Sequence, residues 1–297
     1  MSVAPQASGP APPRLNHVQC LGAKGLHRMA YWEWGDPANA RVLVCVHGLS
    51  RQGRDFDTLA AALSDHYRVV CPDVAGRGRS DWLADPMGYS IPAYVADMVT
   101  LLARLNAQEL HWLGTSMGGL IGMGVAALPG SPVTRLVLND VGPTLEPSSL
   151  ARIGSYLGQP AHWATEEEAA QALLAISTSF GPHTAEQWLA LTRPQLKPDG
   201  AGFKPHYDPA IAVPFKLITP ELAQIGQAAL WQAYDQIRCP TLLLRGQDSD
   251  LMSPATAQAM TGRGPRARLH SFAGVGHAPT LVQPDQVRVV REFLLSP

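Results

Sequence analysis

Leu113-Gly114-Thr115-Ser116-Met117-Gly118-Gly119 lies between two apolar runs of different character. Upstream, His111-Trp112-Leu113 reads as a short buried strand. Downstream, Leu120 to Leu128 is apolar and rich in small residues, which predicts a helix. Gly114 to Gly118 fits G-x-S-x-G, the corner at which a strand turns sharply into a helix and lifts its serine into a cleft. The turn is too tight for side chains at the flanking positions, and Gly119 and Gly122 let the helix pack close to a sheet. Any Gly/Ser-rich turn can match five loose positions by chance. The strand before and the helix after are what make Ser116 a candidate nucleophile.

Working outward, strand and helix signals alternate on both sides of this corner. Arg41–Val46 and Val133–Asn139 are near-continuous apolar runs, the type buried on both faces of a parallel sheet. Between them lie a strand at Arg68–Cys71, a helical period at Phe56, Leu59, Ala60 and Leu63, and a helix from about Ile91 to Leu105. His17–Leu21 and Leu26–Trp34 predict a strand pair joined at Gly22–Gly25. Strand signals return at Thr241–Leu244 and Ala267–Phe272, and a last helix spans Gln283–Leu295. From Pro143 to about Gln236 the alternation stops, and helical periods, prolines and scattered tryptophans replace it. The pattern predicts an α/β fold with a mostly parallel sheet flanked by helices. Residues 15–142 and 237–297 form its core domain, 143–236 a helical cap insertion, and 1–14 a flexible N-terminal tail rich in Pro, Ala and Ser.

Composition narrows the partners. With 46% hydrophobic and only 16% charged residues in 297, the chain has ample core and is neither disordered nor built for nucleic acid. A formal charge of −1 gives no pull toward phosphate backbones or anionic membranes. Small, largely apolar substrates are the expected partners. The N-terminal residues lack the basic and apolar regions of a signal peptide, and no run reaches the length of a membrane span. Cys20, Cys45, Cys71 and Cys239 sit in or beside strands without C-x-x-C spacing, so free thiols and a cytoplasmic location are expected.

In a parallel sheet, ligands bind beyond the carboxyl ends of the strands. The residues there are His47, Asp73, Ser116, Asp140, Asp250 and His277. A serine hydroxyl needs a base to take its proton and a third group to hold the base. His277, in the small-residue loop Gly274-Val275-Gly276-His277-Ala278-Pro279 after the last strand, is the expected base. For the acid, Asp250 in Arg245-Gly246-Gln247-Asp248-Ser249-Asp250 is favoured over Asp248. Asp140 is a third candidate, whose other role would be closing the turn into Val141-Gly142-Pro143. The order Ser…Asp…His differs from the chymotrypsin and subtilisin orders.

These parts together resemble the α/β-hydrolase superfamily, in its serine-nucleophile branch with a helical cap. The resemblance rests on His47-Gly48, the loop Asp73-Val74-Ala75-Gly76-Arg77-Gly78-Arg79-Ser80, Gly114 to Gly119, and Gly276-His277. It implies an oxyanion hole of backbone N–H groups from Leu49 and Met117. It also implies that Asp73 to Ser80 is a structural loop, although its arginines could instead hold an anionic substrate. A cap over Ser116 makes Trp163, Trp188 and Trp231, with Phe180, Phe203 and Phe215, candidates for the substrate pocket, or simply for packing the cap onto the core.

No metal or cofactor is expected. Gly122 to Ala127 fits a dinucleotide fingerprint, but inside a helix it offers no free N–H groups, and the histidines show no metal-binding spacing. Serine at the corner points to acyl-enzyme chemistry on small esters or lactones. The same triad would serve carbon–carbon bond hydrolysis of ring-cleavage products, perhydrolysis or acyl transfer. A non-catalytic small-molecule receptor on the same scaffold is disfavoured by the intact Ser116 and His277.

Overall fold

Apolar runs bounded by glycine, proline or charged residues become the sheet. The computed structural model describes residues 12–296; of the tail expected over 1–14, residues 1–11 lie outside them, and Arg14 already begins the first strand. The strands are β1 Arg14–Gly22, β2 Gly25–Trp34, β3 Arg41–Val46, β4 Arg68–Pro72, β5 Glu109–Thr115, β6 Val133–Asn139, β7 Leu196–Asp199, β8 Gly202–Pro205, β9 Thr241–Gly246 and β10 Arg268–Phe272. Eight of them form one sheet in the order β1-β2-β4-β3-β5-β6-β9-β10. The β1-β2 hairpin is antiparallel at one edge, and β4 through β10 in that order run parallel. This is an α/β-hydrolase fold.

Helices α1 Asp57–Leu63, α2 Ile91–Leu105, α3 Met117–Ala126, α4 Pro147–Tyr156, α5 Glu166–Ala175, α6 Ala185–Thr192, α7 Ala212–Lys216, α8 Pro220–Gln236, α9 Pro254–Gly262 and α10 Pro284–Leu295 complete the set. The sheet is buried on both sides because successive side chains of a strand point to opposite faces. Val42, Val44 and Val46 of β3 join one core with Met98 of α2, Ile121 of α3 and Met260 of α9. Leu43 and Cys45 join the other, with Leu59 and Leu63 of α1 and Val290, Phe293 and Leu294 of α10. Fully burying a Val, Leu, Ile, Phe or Met side chain contributes about 1.5–3 kcal/mol. At the hairpin edge, Cys20, His27 and Asp97 bring their donor atoms within 4.8 Å of one another, a trio that sequence spacing does not announce.

Between β6 and β9 the chain builds α4 to α8. Helices dominate this insertion, but it also holds the β7-β8 hairpin, which the helical expectation omits. Gly200-Ala201 forms its turn, with Gly200 at φ +59°, where a side chain would be strained. Trp163 pairs with Phe203 of that hairpin through bonds of 2.9 and 2.8 Å. Backbone bonds tie the insertion to the loops around the site. His206 O accepts from Gly78 N and Asp208 N donates to Gly76 O, at 3.0 and 2.8 Å. On the other side, Gly276 N donates to Ser179 O at 2.6 Å, and the Ser179 hydroxyl donates to His277 O at 2.7 Å.

Candidate active site

Six parallel strands point their carboxyl ends at one edge, and the loops there carry the polar residues. At the end of β5 the chain turns straight into α3, leaving Ser116 at φ 52°, ψ −119°. Such a backbone persists only where its surroundings over-determine it. Here a Cβ on Gly118 would stand 1.9 Å from Val46 O, and one on Gly114 would stand 2.2 Å from Gly118 O. Ser116 N also donates to Asn139 O at 3.0 Å. The corner is therefore held by the strands on both sides.

His277 reaches this corner from the loop after β10. Its Nε2 lies 3.0 Å from Ser116 Oγ, and its Nδ1 lies 2.7 Å from Asp140 Oδ2. The Asp140 side chain is fully buried and that of His277 is 11% exposed, so the contact is shielded from solvent. Asn139 braces both sides, donating from Nδ2 to Thr115 Oγ1 at 2.9 Å and to Pro279 O at 2.8 Å.

Asp250, the expected acid, does not reach His277. Asp250 is exposed and makes a bidentate pair with Arg152 of α4, at 2.8 and 2.9 Å. Asp248 is also exposed. Asp140, the third candidate, takes the place beside His277 because the chain leaves β6 at φ +55°, a conformation that Asp tolerates better than most residues. The loop after β9 still reaches the same point. Gly246 N donates to Asp140 Oδ1 at 2.9 Å, and the Ser249 hydroxyl donates to Asp140 Oδ2 at 2.6 Å. Strands β6 and β9 are neighbours, so both of their ends converge there. Two carboxylates at that spot would repel, and the β9 loop presents a donor instead.

His47 is buried at the end of β3, and burial pushes its pKa down to about 3, so it is neutral. Its Nε2 accepts from Val74 N at 2.9 Å, which leaves Nδ1 to donate to Gly48 O at 2.7 Å. With Gly48 O turned to the ring, the N–H of Leu49 points the opposite way across the same planar peptide. Arg77 holds that loop from behind. It is fully buried and donates from Nε to Leu49 O at 2.8 Å and from Nη1 to the Tyr94 hydroxyl at 2.7 Å. Its Nη2 lies 3.5 Å from Met117 Sδ. So placed, Arg77 has no surface to offer a substrate. Asp73 anchors the rest of the loop, accepting from Gly53 N and Arg79 N, each at 2.8 Å. Burial pushes its pKa up to about 6 against those donors.

Above Ser116 is a cavity of about 130 Å³, lined from the core by Leu49, Thr115 and His277 and from the insertion by Arg152, Ile153, Tyr156, Leu173, Phe180 and Leu191. None of the three expected tryptophans is among its walls. Trp188 is buried and donates from Nε1 to Ala170 O at 2.7 Å, locking α6 to α5. Its ring meets the edge of Phe180, so it backs the wall rather than forming it. Trp231 donates to the Thr144 hydroxyl and is stacked by Arg263, and Trp163 serves the β7-β8 hairpin. The indoles of Trp188 and Trp231 thus satisfy their N–H within the packing. Of the aromatic candidates, Phe180 lines the cavity.

Comparison with known proteins finds the same fold. The model of the alpha/beta hydrolase family matches residues 43–290. A 3-hydroxybutyrate-oligomer hydrolase of Cupriavidus necator is 57% identical over 287 residues, covering 95% of this chain and 98% of the relative. Esterase YbfF of Escherichia coli is 26% identical, covering 86% of this chain and 94% of its own. Among solved structures, an alpha/beta hydrolase from Novosphingobium aromaticivorans superposes with a TM-score of 0.83 at 34% identity, over 96% of this chain and 98% of that one. No helix among the described residues is long and apolar enough to cross a membrane.

Proposed function

The chain belongs to the alpha/beta hydrolase family, as a carboxylic-ester hydrolase, and from this premise we propose that it cleaves short oligoesters of 3-hydroxybutyrate through an acyl-enzyme on Ser116. The substrate class is supported by the 57% identical relative, whose name specifies that activity. The nucleophile is supported by one observation above all: His277 bridges Ser116 Oγ and Asp140 Oδ2 at 3.0 and 2.7 Å. In this reading His277 Nε2 takes the Ser116 proton as Oγ attacks the ester carbonyl. Asp140 keeps the other ring proton on Nδ1 and stabilises the imidazolium. The N–H groups of Leu49 and Met117 receive the oxyanion, a pair worth about 10²–10³ in rate for each donor. His277 then returns its proton to the leaving alkoxide, which departs as the hydroxyl end of the next unit. Water, deprotonated by the same imidazole, releases the acyl unit.

The cavity supports the size of the acyl unit. Ile153, Leu173 and Leu191 give it apolar walls, suited to a short four-carbon acyl chain. A cytoplasmic setting is proposed as well, supported by four unpaired cysteines, the usual state in reducing compartments.

The test has two arms. Incubation with the hydroxybutyrate dimer and trimer, followed by chromatography, should show monomer released. Turnover of p-nitrophenyl butyrate without any release of monomer would refute the substrate class. A fluorophosphonate should label Ser116, and Ser116→Ala should abolish labelling and turnover with an unchanged melting curve. Labelling that survives at another serine would refute the nucleophile.

A further inference from the structure

The cavity over Ser116 is lined by two guanidinium groups, and they are committed to very different degrees. Arg51 is locked. It makes two bonds of 2.7 Å to Asp55, a third to Leu191 O at 3.2 Å, and lies over the Phe180 ring. Arg152, on α4, has a looser setting. Asp250 takes its Nε and one hydrogen of Nη2, and the side chains of that pair are 39% and 44% exposed. Pairs so solvated are weak and easily exchanged. A guanidinium has five N–H donors, three beyond the two that Asp250 takes. One helical turn along, Tyr156 lines the same cavity and interacts with the Arg152 guanidinium.

The oligoester reading of the preceding section gives this arrangement a purpose, and the inference rests on it. A hydroxybutyrate oligomer ends in a free carboxylate. In the last unit that carboxylate is two carbons from the oxygen-bearing carbon, so it enters the site together with the scissile ester. A carboxylate cannot be desolvated against Ile153 and Leu173 without a paired donor. We propose that Arg152, assisted by the Tyr156 hydroxyl, is the subsite for the free carboxylate at the acid end of the substrate. Asp250 holds Arg152 extended in the empty site and shares its guanidinium when the substrate carboxylate arrives. The enzyme thereby recognises chain ends and prefers short acids over esterified or polymeric chains. Because the carboxylate takes no part in bond making, its binding is the same in ground and transition states and appears in KM.

The experiment compares kcat/KM for the hydroxybutyrate dimer as free acid and as methyl ester, in wild type, Arg152→Gln, Arg152→Lys and Asp250→Asn. Wild type should prefer the acid. Arg152→Gln should lower the acid-to-ester ratio by roughly ten- to a hundredfold, the range of a hydrogen bond to a charged group, with the change in KM. Arg152→Lys should restore part of the ratio, and Asp250→Asn, which removes the competing anion, should raise it. A wild type that cleaves acid and ester equally well would overturn the subsite and leave the oligoester reading standing. A ratio unmoved by Arg152→Gln would do the same. Release of monomer from neither dimer, with p-nitrophenyl butyrate still turned over, would instead sink the oligoester reading and the subsite with it. If Arg152→Gln does not fold, the wild-type ratio and its change in Asp250→Asn decide the matter.

Discussion

Replacing Asp140 with asparagine exchanges one oxygen of a fully buried carboxylate for an amide NH2, and the surrounding donors dictate which one. Oδ1 accepts from Gly246 N at 2.9 Å, while Oδ2 accepts from the Ser249 hydroxyl at 2.6 Å and faces His277 Nδ1 at 2.7 Å. The amide NH2 cannot face Gly246, because a buried donor set against a backbone N–H leaves both unsatisfied, at about 1–3 kcal/mol. It must therefore take the Oδ2 position, where the Ser249 hydroxyl can rotate to accept from it. There it also donates to Nδ1 and moves the ring proton to Nε2, which then cannot accept from Ser116. The matching change in a serine protease lowered kcat about 10⁴-fold, which corresponds to about 5 kcal/mol of barrier. Asp140→Asn should show that loss with p-nitrophenyl butyrate while its melting curve stays close to wild type. Asp250→Asn should lower kcat on that neutral substrate far less. An Asp140→Asn enzyme within tenfold of wild type, or an Asp250→Asn enzyme that is the crippled one, would refute the assignment.

Two further outcomes concern the scaffold. His47 titrates at about 3 when folded against 6.5 when free, so between those values the unfolded chain binds a proton that the folded chain does not. Stability should fall through this group as pH drops from 6.5 toward 3, and the fall should be shallower in His47→Asn; parallel curves of melting temperature against pH would count against it. Gly118→Ala puts a Cβ 1.9 Å from the backbone oxygen of Val46, a contact no rotamer relieves. Overpacking of this kind costs about 1–3 kcal/mol or more, so a melting temperature lower by several degrees and a displaced, sluggish Ser116 are expected. An unchanged melting curve would show that the corner is not as tight as its geometry.

Much of this was legible in the sequence because it depends on local patterns. The buried runs of β3, β5 and β6 and the glycines around Ser116 are contiguous signals of parallel strands and a tight corner. His277 stood out by its place after the last strand. The acid was less legible because two adjacent strand ends deliver to one point in space. Which of them supplies the carboxylate is decided by the +55° φ of Asp140 and by the Ser249 hydroxyl, neither of which has a pattern in the chain. The tryptophans misled for a related reason. Composition places an aromatic ring in the insertion but not on a side of it, and Trp188 turns its indole toward the α5 backbone rather than the cavity. The β7-β8 hairpin had a signal, Asp199-Gly200, that was outweighed by the helical periods around it.

The two bonds between Ser179 and the loop bearing His277, at 2.6 and 2.7 Å, mean that the wall over the serine is also part of the mounting of its base. A lid hinged to lift from that side must break both, together with the His183–Thr280 contact and the Gln283 bond to Pro182 O. In the same movement it frees the backbone on either side of the imidazole. Access to the serine and the backbone mounting of its base thus share one residue, Ser179, while Asp140 holds the imidazole itself from the core side.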